Sequence, residues 1–319
     1  MINTIEINDM PKLGISIVVL SYNRDDIIIS NLENLDLIAS KNPEINIEIL
    51  VVDNNSTDST RVKLDEERWQ SNVRLIYNDS NYGVAKGRNI GILESQNDWV
   101  LILDDDSILS KDAFARLIEF LNQIDNKSIG LIGLNVIDMN SKLSVSDSIL
   151  DHKKLSNFHG AGHLINKELV KSIGLLDEKC TFGGEELDYS IRCRKAGFKL
   201  IFAKDVEVNH YCKVRNDTDG LERRYRWLFN YTRVIFKHLP FQYAVIYSFR
   251  YLIGYLYSCI KVFGFFTSSI LFKSYIIGSY KGRSVYKKTK NTELDFYFDE
   301  NNRPEYGNVS LLKKIKNRN

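Results

Sequence analysis

Three short apolar runs, each breaking off at a cluster of polar side chains, constrain this chain more than any other feature. Residues 15–20 (ISIVVL), 47–52 (IEILVV) and 99–103 (WVLIL) give way at once to Ser21-Tyr22-Asn23-Arg24, Asp53-Asn54-Asn55-Ser56 and Asp104-Asp105-Asp106. Runs of that length, rich in β-branched residues, read as buried parallel strands. A further strand, VRLIY, falls at 73–77. Between the strands the spacing predicts helices. Ile28, Leu32, Leu35 and Ile38 step by three and four until Lys41, Asn42 and Pro43 break the pattern; 83–94 is a helical segment with glycines; Ser110 caps a helix whose buried face is Phe114, Leu117, Ile118 and Leu121. Strand and helix alternating in this way predict an open, mostly parallel α/β sheet with helices on both faces. Ligands bind such sheets beyond the carboxyl ends of the strands, where all three polar clusters fall.

Composition narrows the field. The 319 residues are 44% hydrophobic and 26% charged, enough for one large core or two modest ones, which excludes disorder, collagen and coiled coil. Cys180, Cys193, Cys212 and Cys259 form no Cys-x-x-Cys pair, so neither a disulfide scaffold nor a zinc or thioredoxin-like site is expected, and a reducing cytoplasm fits. The start, MINTIEINDMPK, has acids where a signal peptide has a basic flank and an apolar run. No Gly-x-Gly-x-x-Gly or P-loop pattern occurs, which removes dinucleotide and P-loop readings.

Charge divides the chain in two. Residues 222–319 hold 18 Lys and Arg against 6 Asp and Glu, a surplus of +12, which leaves −10 for the first 221. Residues 222–280 also hold 18 of the 36 aromatic side chains. Basic charge beside aromatic rings suits an anionic headgroup layer, although charge alone would equally suit nucleic acid, and an ordinary helical appendage with its rings in a core would look the same. The uncharged runs 251–260 and 262–272 are too short for a bilayer that needs about 20 residues. Strand candidates IGLIGLNV, FKLIFA and DVEVNH and short helices near 167–173 and 188–196 make 129–215 mixed. The resulting plan is a first domain over 1–221 (halves of about 12–125 and about 126–221), a helical aromatic and basic region over 222–280, and a basic polar tail over 281–319.

Asp104, Asp105 and Asp106 place at least two carboxylates together at a strand end. Like charges that close need a cation among them, and hard oxygen ligands favour Mg²⁺ or Mn²⁺ bridging to a phosphorylated substrate. A solvated acidic turn has the same residues. VLILDDDS also resembles the first motif of haloacid-dehalogenase-like phosphatases, which would make Asp104 a nucleophile; there, however, the motif opens the domain, whereas two strand-helix units precede it here.

ISIVVLSYNR, ILVVDNNSTDST, NYGVAKGRNIGI and VLILDDDS, in this order, resemble the nucleotide-sugar-binding segments of family 2 glycosyltransferases of the GT-A fold. GGEELDYSIRCRKAGFKL is similar to the acceptor-side motif of the same family, particularly its bacterial rhamnosyltransferase-like members. Together these segments span about 15–210. The resemblance implies that Ser21, Tyr22 and Asn23 shape the nucleoside pocket, that Asp53 hydrogen-bonds the base, and that Asn81, Gly83 and Arg88 line the nucleotide side together with Asp104 and Asp105. It implies a divalent cation on Asp106, Asp104 and His210. Glu186 stands where the family usually has the Asp that serves as base, with Glu185 able to compete, while Asp188 and Arg192 would orient base or acceptor. Gly160-Ala161-Gly162 reads as a segment of close approach to sugar or phosphate, or as a plain turn. His152, His159 and His163 receive no role. The expectation is a metal-dependent, inverting transferase that moves a sugar from a nucleoside diphosphate sugar to a saccharide or lipid-linked saccharide hydroxyl in bacterial surface-polysaccharide assembly. It would sit at the inner face of the cell membrane and bind no nucleic acid. A degenerate relative that only binds nucleotide or scaffolds an assembly is the alternative.

Overall fold

The computed structural model describes residues 13–124, 127–144, 157–212 and 218–287; His152 and all but the first residues of the 281–319 tail lie outside them. In chain order the elements are β1 (Gly14–Ser21), α1 (Ile28–Lys41), β2 (Asn46–Asp53), α2 (Thr60–Glu66), β3 (Val73–Tyr77), α3 (Val84–Glu94), β4 (Trp99–Asp104), β5 (Ser107–Leu109), α4 (Ala113–Gln123), β6 (Ile129–Asp138), β7 (Leu143–Ser144), β8 (Gly162–Asn166), α5 (Lys167–Ile173), α6 (Glu185–Lys195) and β9 (Lys199–His210). Four helices follow: α7 (Thr218–His238), α8 (Phe241–Phe263), α9 (Phe265–Ser268) and α10 (Ile270–Arg283).

All the strands join one sheet in the order β3-β2-β1-β4-β8-β6-β9-β5, with β7 on β6. The first four run parallel, in a register that sets Ser21 beside Asp53 and Leu20 beside Asp104. Parallel pairing therefore brings the expected polar clusters to one edge. Beyond β4 the sheet is mixed rather than mostly parallel: β8 is antiparallel to both β4 and β6, and β9 is parallel to β6 but antiparallel to β5. FKLIFA and DVEVNH are one strand, β9, interrupted by a register shift opposite Leu134 and Asn135. The three-residue β5 has no pattern of its own in the sequence, yet it pairs Ser107 with His210 and so carries His210 to the aspartates. Ser110 is not the cap of α4; Asp112 holds that position, and the Ser110 carbonyl accepts the Ala113 N–H at 3.0 Å.

Alternation along β1 divides the core between the faces of the sheet. Ile15, Ile17 and Val19 pack with Ile28, Leu32 and Leu35 of α1 and Phe114 and Leu117 of α4. Val18 and Leu20 join the opposite cluster, with Ala85 and Ile92 of α3, Leu187 of α6, and Leu228, Val234 and Ile235 of α7. Helix α7 is thus part of the core that supports the strand ends. The aromatic enrichment is partly internal as well. Trp227, Tyr231, Tyr251 and Tyr255 stack between α7 and α8 with ring centroids 4.6–5.6 Å apart, so these rings do not face a lipid layer. No helix among the described residues is long and apolar enough to cross a membrane.

Candidate active site

The cleft is assembled by hydrogen bonds between the strand-end loops. Asn23, at a positive φ of 54° that asparagine tolerates, receives the Ser56 hydroxyl as acceptor of its N–H at 2.9 Å and accepts the Thr57 N–H at 2.7 Å. These bonds tie the β1 loop to the β2 loop. Asn54 accepts from Asn78 at 3.1 Å and from the Tyr82 N–H at 3.0 Å while donating to Asn81 at 2.9 Å, and Asn81 accepts the Gly83 N–H at 3.0 Å. Asn81 and Gly83 therefore brace the entry to α3. Ser21 is fully buried, whereas Tyr22 is exposed and its N–H donates to Asp105 at 3.0 Å.

Asp53 is fully buried. One oxygen accepts the Ser56 N–H at 3.0 Å and Nε of Arg61 at 2.5 Å; the other, Oδ1, is buried with no hydrogen-bond partner. A buried carboxylate oxygen left alone is costly, and a donor such as a ring N–H would relieve it.

Two arginines hold the three aspartates. Asp104 accepts from Arg88 at 2.8 Å, Asp105 from Nε of Arg24 at 3.1 Å, and Asp106 pairs with Arg24 and lies 3.1 Å from Nε2 of His210. Asn31 in α1 donates to the carbonyls of both Asp104 and Asp105 at 3.2 Å. Asp104, Asp106 and His210 each offer one ligand atom within 4.8 Å of the others, a set of two carboxylates and an imidazole that fits a divalent cation such as Mn²⁺ or Mg²⁺. Burial would raise the Asp104 carboxyl, but Arg88 and His210 outweigh it and hold it below its ordinary range. Asp105, also buried, is pushed up to about 6 despite Arg24. His210 is lowered by burial, so its ring is neutral at neutral pH and able to ligate.

Across the cleft, Arg88 reaches the first turn of α6. Its guanidinium is 3.2 Å from Glu185, 3.7 Å from Glu186 and 3.0 Å from the Gly160 carbonyl. The Glu185 side chain is 2% exposed and that of Glu186 18%. Burial, with Glu186 alongside, holds Glu185 well above its ordinary value, while Glu186 is raised by burial and partly restored by Arg88. The absence of a side chain at Gly160 leaves room for the tips of Glu186 and Arg88, since a Cβ there would meet the Glu186 carboxylate and stand 2.9 Å from Arg88. Gly183, at φ 72°, likewise leaves room for Trp227 of α7.

Asp188 and Arg192 are held by contacts within the fold. Asp188 is fully buried and takes Nε of Arg192 at 2.7 Å, Lys237 at 2.7 Å and His238 at 2.8 Å, while the other guanidinium nitrogens of Arg192 donate to the Ile173 and Leu175 carbonyls at 2.9 and 2.8 Å. Asp188 thereby docks α6, the helix that carries Glu186, on α7, and Arg192 ties α6 to the end of α5. Residues missed from sequence include Arg61 and Asn31, and Arg24, although part of the first polar cluster, receives no role there. His159 is another: its ring centroid lies 5.7 Å from that of His210, and burial and that neighbour lower it to about 4. Arg24 directly follows the Ser-Tyr-Asn cluster and Arg61 directly follows the Asp53 loop, so position alone could have marked both. His163 is buried against Phe158, centroids 4.4 Å apart.

Comparison with known proteins places this architecture. The family model described as glycosyl transferase family 2 matches residues 16–173, and that described as glycosyl transferase family group 2 matches 99–281, taking in the aspartates, α6 and the C-terminal helices together. A Haemophilus influenzae protein named an uncharacterized glycosyltransferase is 32% identical over 112 residues, which are 35% of this chain and 36% of that protein. The dTDP-rhamnosyl transferase RfbF of Shigella flexneri is 24% identical over 213 residues, 60% of this chain and 67% of that one. The chain thus spans about a third of the first relative's length and about two thirds of the second's. Among solved structures, the mannosyltransferase PcManGT of Pyrobaculum calidifontis, in complex with GDP-Man and Mn²⁺, superposes with a TM-score of 0.58 at 16% identity, covering 85% of this chain and 84% of that chain. The phosphatase resemblance of VLILDDDS falls away, because the same aspartates lie inside both family matches, and the chain belongs to the family 2 glycosyltransferases and has their GT-A fold.

Proposed function

We propose that this protein is an inverting, metal-dependent glycosyltransferase that moves a sugar from a nucleoside diphosphate sugar to a hydroxyl of a saccharide or lipid-linked saccharide. Its setting is bacterial cell-surface polysaccharide assembly at the inner face of the cell membrane. The observation that carries the reading is Arg88, which links the acidic strand end at Asp104 to the Glu185–Glu186 pair within one cleft. Support for the donor class comes from the unpartnered Asp53 Oδ1, which can accept an N–H, and from the rhamnosyl transferase and GDP-mannose complex named above.

Asp104, Asp106 and His210 would hold the cation, which neutralises charge growing on the departing diphosphate. Asp53 receives the base, with Ser21 and Asn23 shaping the pocket beside it. Glu186, the more exposed glutamate, takes the proton from the acceptor hydroxyl as it attacks the anomeric carbon from the side opposite the diphosphate. Glu185 keeps Arg88 in place. The test is a screen of nucleotide sugars with Mn²⁺ or Mg²⁺, read by thermal stabilisation and then by transfer to acceptor. Stabilisation by one donor with cation, followed by transfer with inverted configuration, supports the reading. Donor binding without transfer to any acceptor would instead leave the degenerate alternative.

A further inference from the structure

One face of α8 and its surroundings are built for a surface that the transfer chemistry does not use. The inner side of α8 packs on α7 through Ala244, Tyr251, Leu252 and Cys259. The outer side presents Val245, Phe249, Ile253 and Tyr257, one turn apart, with Phe249 52% and Ile253 54% exposed. This apolar stripe ends in cations: exposed Lys261 lies 4.5 Å from the Tyr257 ring centroid, and exposed Arg283 of α10 lies 5.8 Å from that of Phe241. Between 223 and 292 the sequence has thirteen Lys and Arg and no Asp or Glu.

We propose that this face of α8 seats the protein on an anionic lipid leaflet, with Val245, Phe249, Ile253 and Tyr257 in the interfacial layer and Lys261 and Arg283 among the headgroups. The stripe from Val245 to Tyr257 is about 18 Å long at 1.5 Å per residue, and a helix of this kind lies in the membrane plane rather than across it. Rings and cations at its two ends are the side chains that settle at headgroup depth. Charge decides between occupants. A second copy would bring two acid-free, cationic faces together, whereas anionic lipid neutralises them. The inference rests on the peripheral setting proposed above and not on the sugar-transfer step.

The test is co-sedimentation of the full chain with phosphatidylglycerol–phosphatidylcholine vesicles and with phosphatidylcholine vesicles, at low and high salt. Binding should require the anionic lipid and weaken with salt. Phe249→Ser with Ile253→Ser should reduce binding about tenfold or more, and Lys261→Glu should move binding in the same direction; both should keep the wild-type circular dichroism and melting temperature, since the changed side chains are exposed. Equal binding by wild type and the serine variant would overturn the proposal. So would failure of the wild type to bind anionic vesicles, or a wild-type dimer that the serine variant makes monomeric. Because vesicle binding is read without substrate, loss of the transferase reading would show as absent transfer with sedimentation intact, and loss of this one as the reverse.

Discussion

The guanidinium of Arg88 contacts Glu185 at 3.2 Å across 97 positions of sequence, and through this contact helix α6 is held against the end of β4. Burial alone would disfavour the charge on Arg88, but Asp104, Glu185 and Glu186 outweigh it and keep the group charged. The arginine is itself 3% exposed, so the charges on both sides of the cleft depend on one another. A single side chain thus links the acidic strand end to the glutamates.

Replacing it should expose that dependence. Arg88→Met leaves the buried Glu185 and the partly exposed Asp104 without their cation, and removing one partner of a buried ion pair costs about 3–5 kcal/mol. The expected result is a lower urea midpoint at pH 7, with Arg88→Lys recovering part of it because lysine restores the charge without the two-pronged geometry. An unchanged midpoint would show that the pairs contribute nothing to the fold.

The two glutamates should separate in kinetics. Glu186→Gln removes the proton acceptor while leaving the strand ends intact, so kcat should fall by about 10²–10⁴-fold with donor affinity retained. Glu185→Gln should affect melting temperature more than rate, since Glu185 is the one enclosed with Arg88. If the Glu185 variant loses more rate than the Glu186 variant, the roles are exchanged.

Acidity offers an independent check. A base acts unprotonated, and Glu186 is raised by burial, so activity should fall on acidification through a midpoint above the ordinary glutamate value of about 4.3. The profile of kcat/KM against pH measures this directly, in a range where the protein is first shown to remain folded. An acid limb at or below that ordinary value would contradict the buried environment of Glu186.

Much of this site is legible in the residue order, for a definite reason. Parallel strands deliver their carboxyl ends to one edge, so Ser21, Asp53 and Asp104 needed only their places after apolar runs to be put together. His210 was harder, because β5 is three residues long and the pairing of Ser107 with His210 depends on a strand with no local signature. Asp188 shows a contact the sequence hides: its partners Lys237 and His238 lie some fifty residues onward in α7, and no local pattern announces that α7 would dock there. Ring composition was similarly ambiguous, since the inward stack of Trp227, Tyr231, Tyr251 and Tyr255 and the outward Phe249 and Tyr257 share one helical region.

The Asp188 network makes a prediction about acid stability. Burial would raise this carboxyl, but the hydrogen bond from His238 and the charges of His238, Arg192 and Lys237 depress it far below its ordinary value. A depressed folded-state pKa contributes stability that is complete above the unfolded value of about 3.9 and is lost as pH falls through the folded one. Asp188→Asn should therefore cost about 3–5 kcal/mol at pH 7 and flatten the dependence of the urea midpoint on pH below about 4. An Asn variant that keeps the wild-type midpoint and slope would remove the network from the account of stability.

The last prediction concerns the choice of ion. Asp104 and Asp106 supply hard oxygens that accept Mg²⁺ and Mn²⁺ alike, whereas the neutral imidazole of His210 is a nitrogen ligand that Mg²⁺ uses poorly and transition ions use well. His210→Ala should then weaken Mn²⁺ about tenfold while changing Mg²⁺ little, read as the cation concentration that half-saturates the thermal shift produced with nucleoside diphosphate. Asp106→Asn should weaken both ions, because it removes an anionic ligand common to the two. Arg24 gives a control in the opposite direction: it pairs with Asp105 and Asp106, so an incoming cation meets its positive charge, and Arg24→Gln should tighten cation binding in the absence of nucleotide. If His210→Ala leaves the ratio of the two ions unchanged while Asp106→Asn abolishes both, the cation is held by the carboxylates alone and the histidine serves only to orient Asp106.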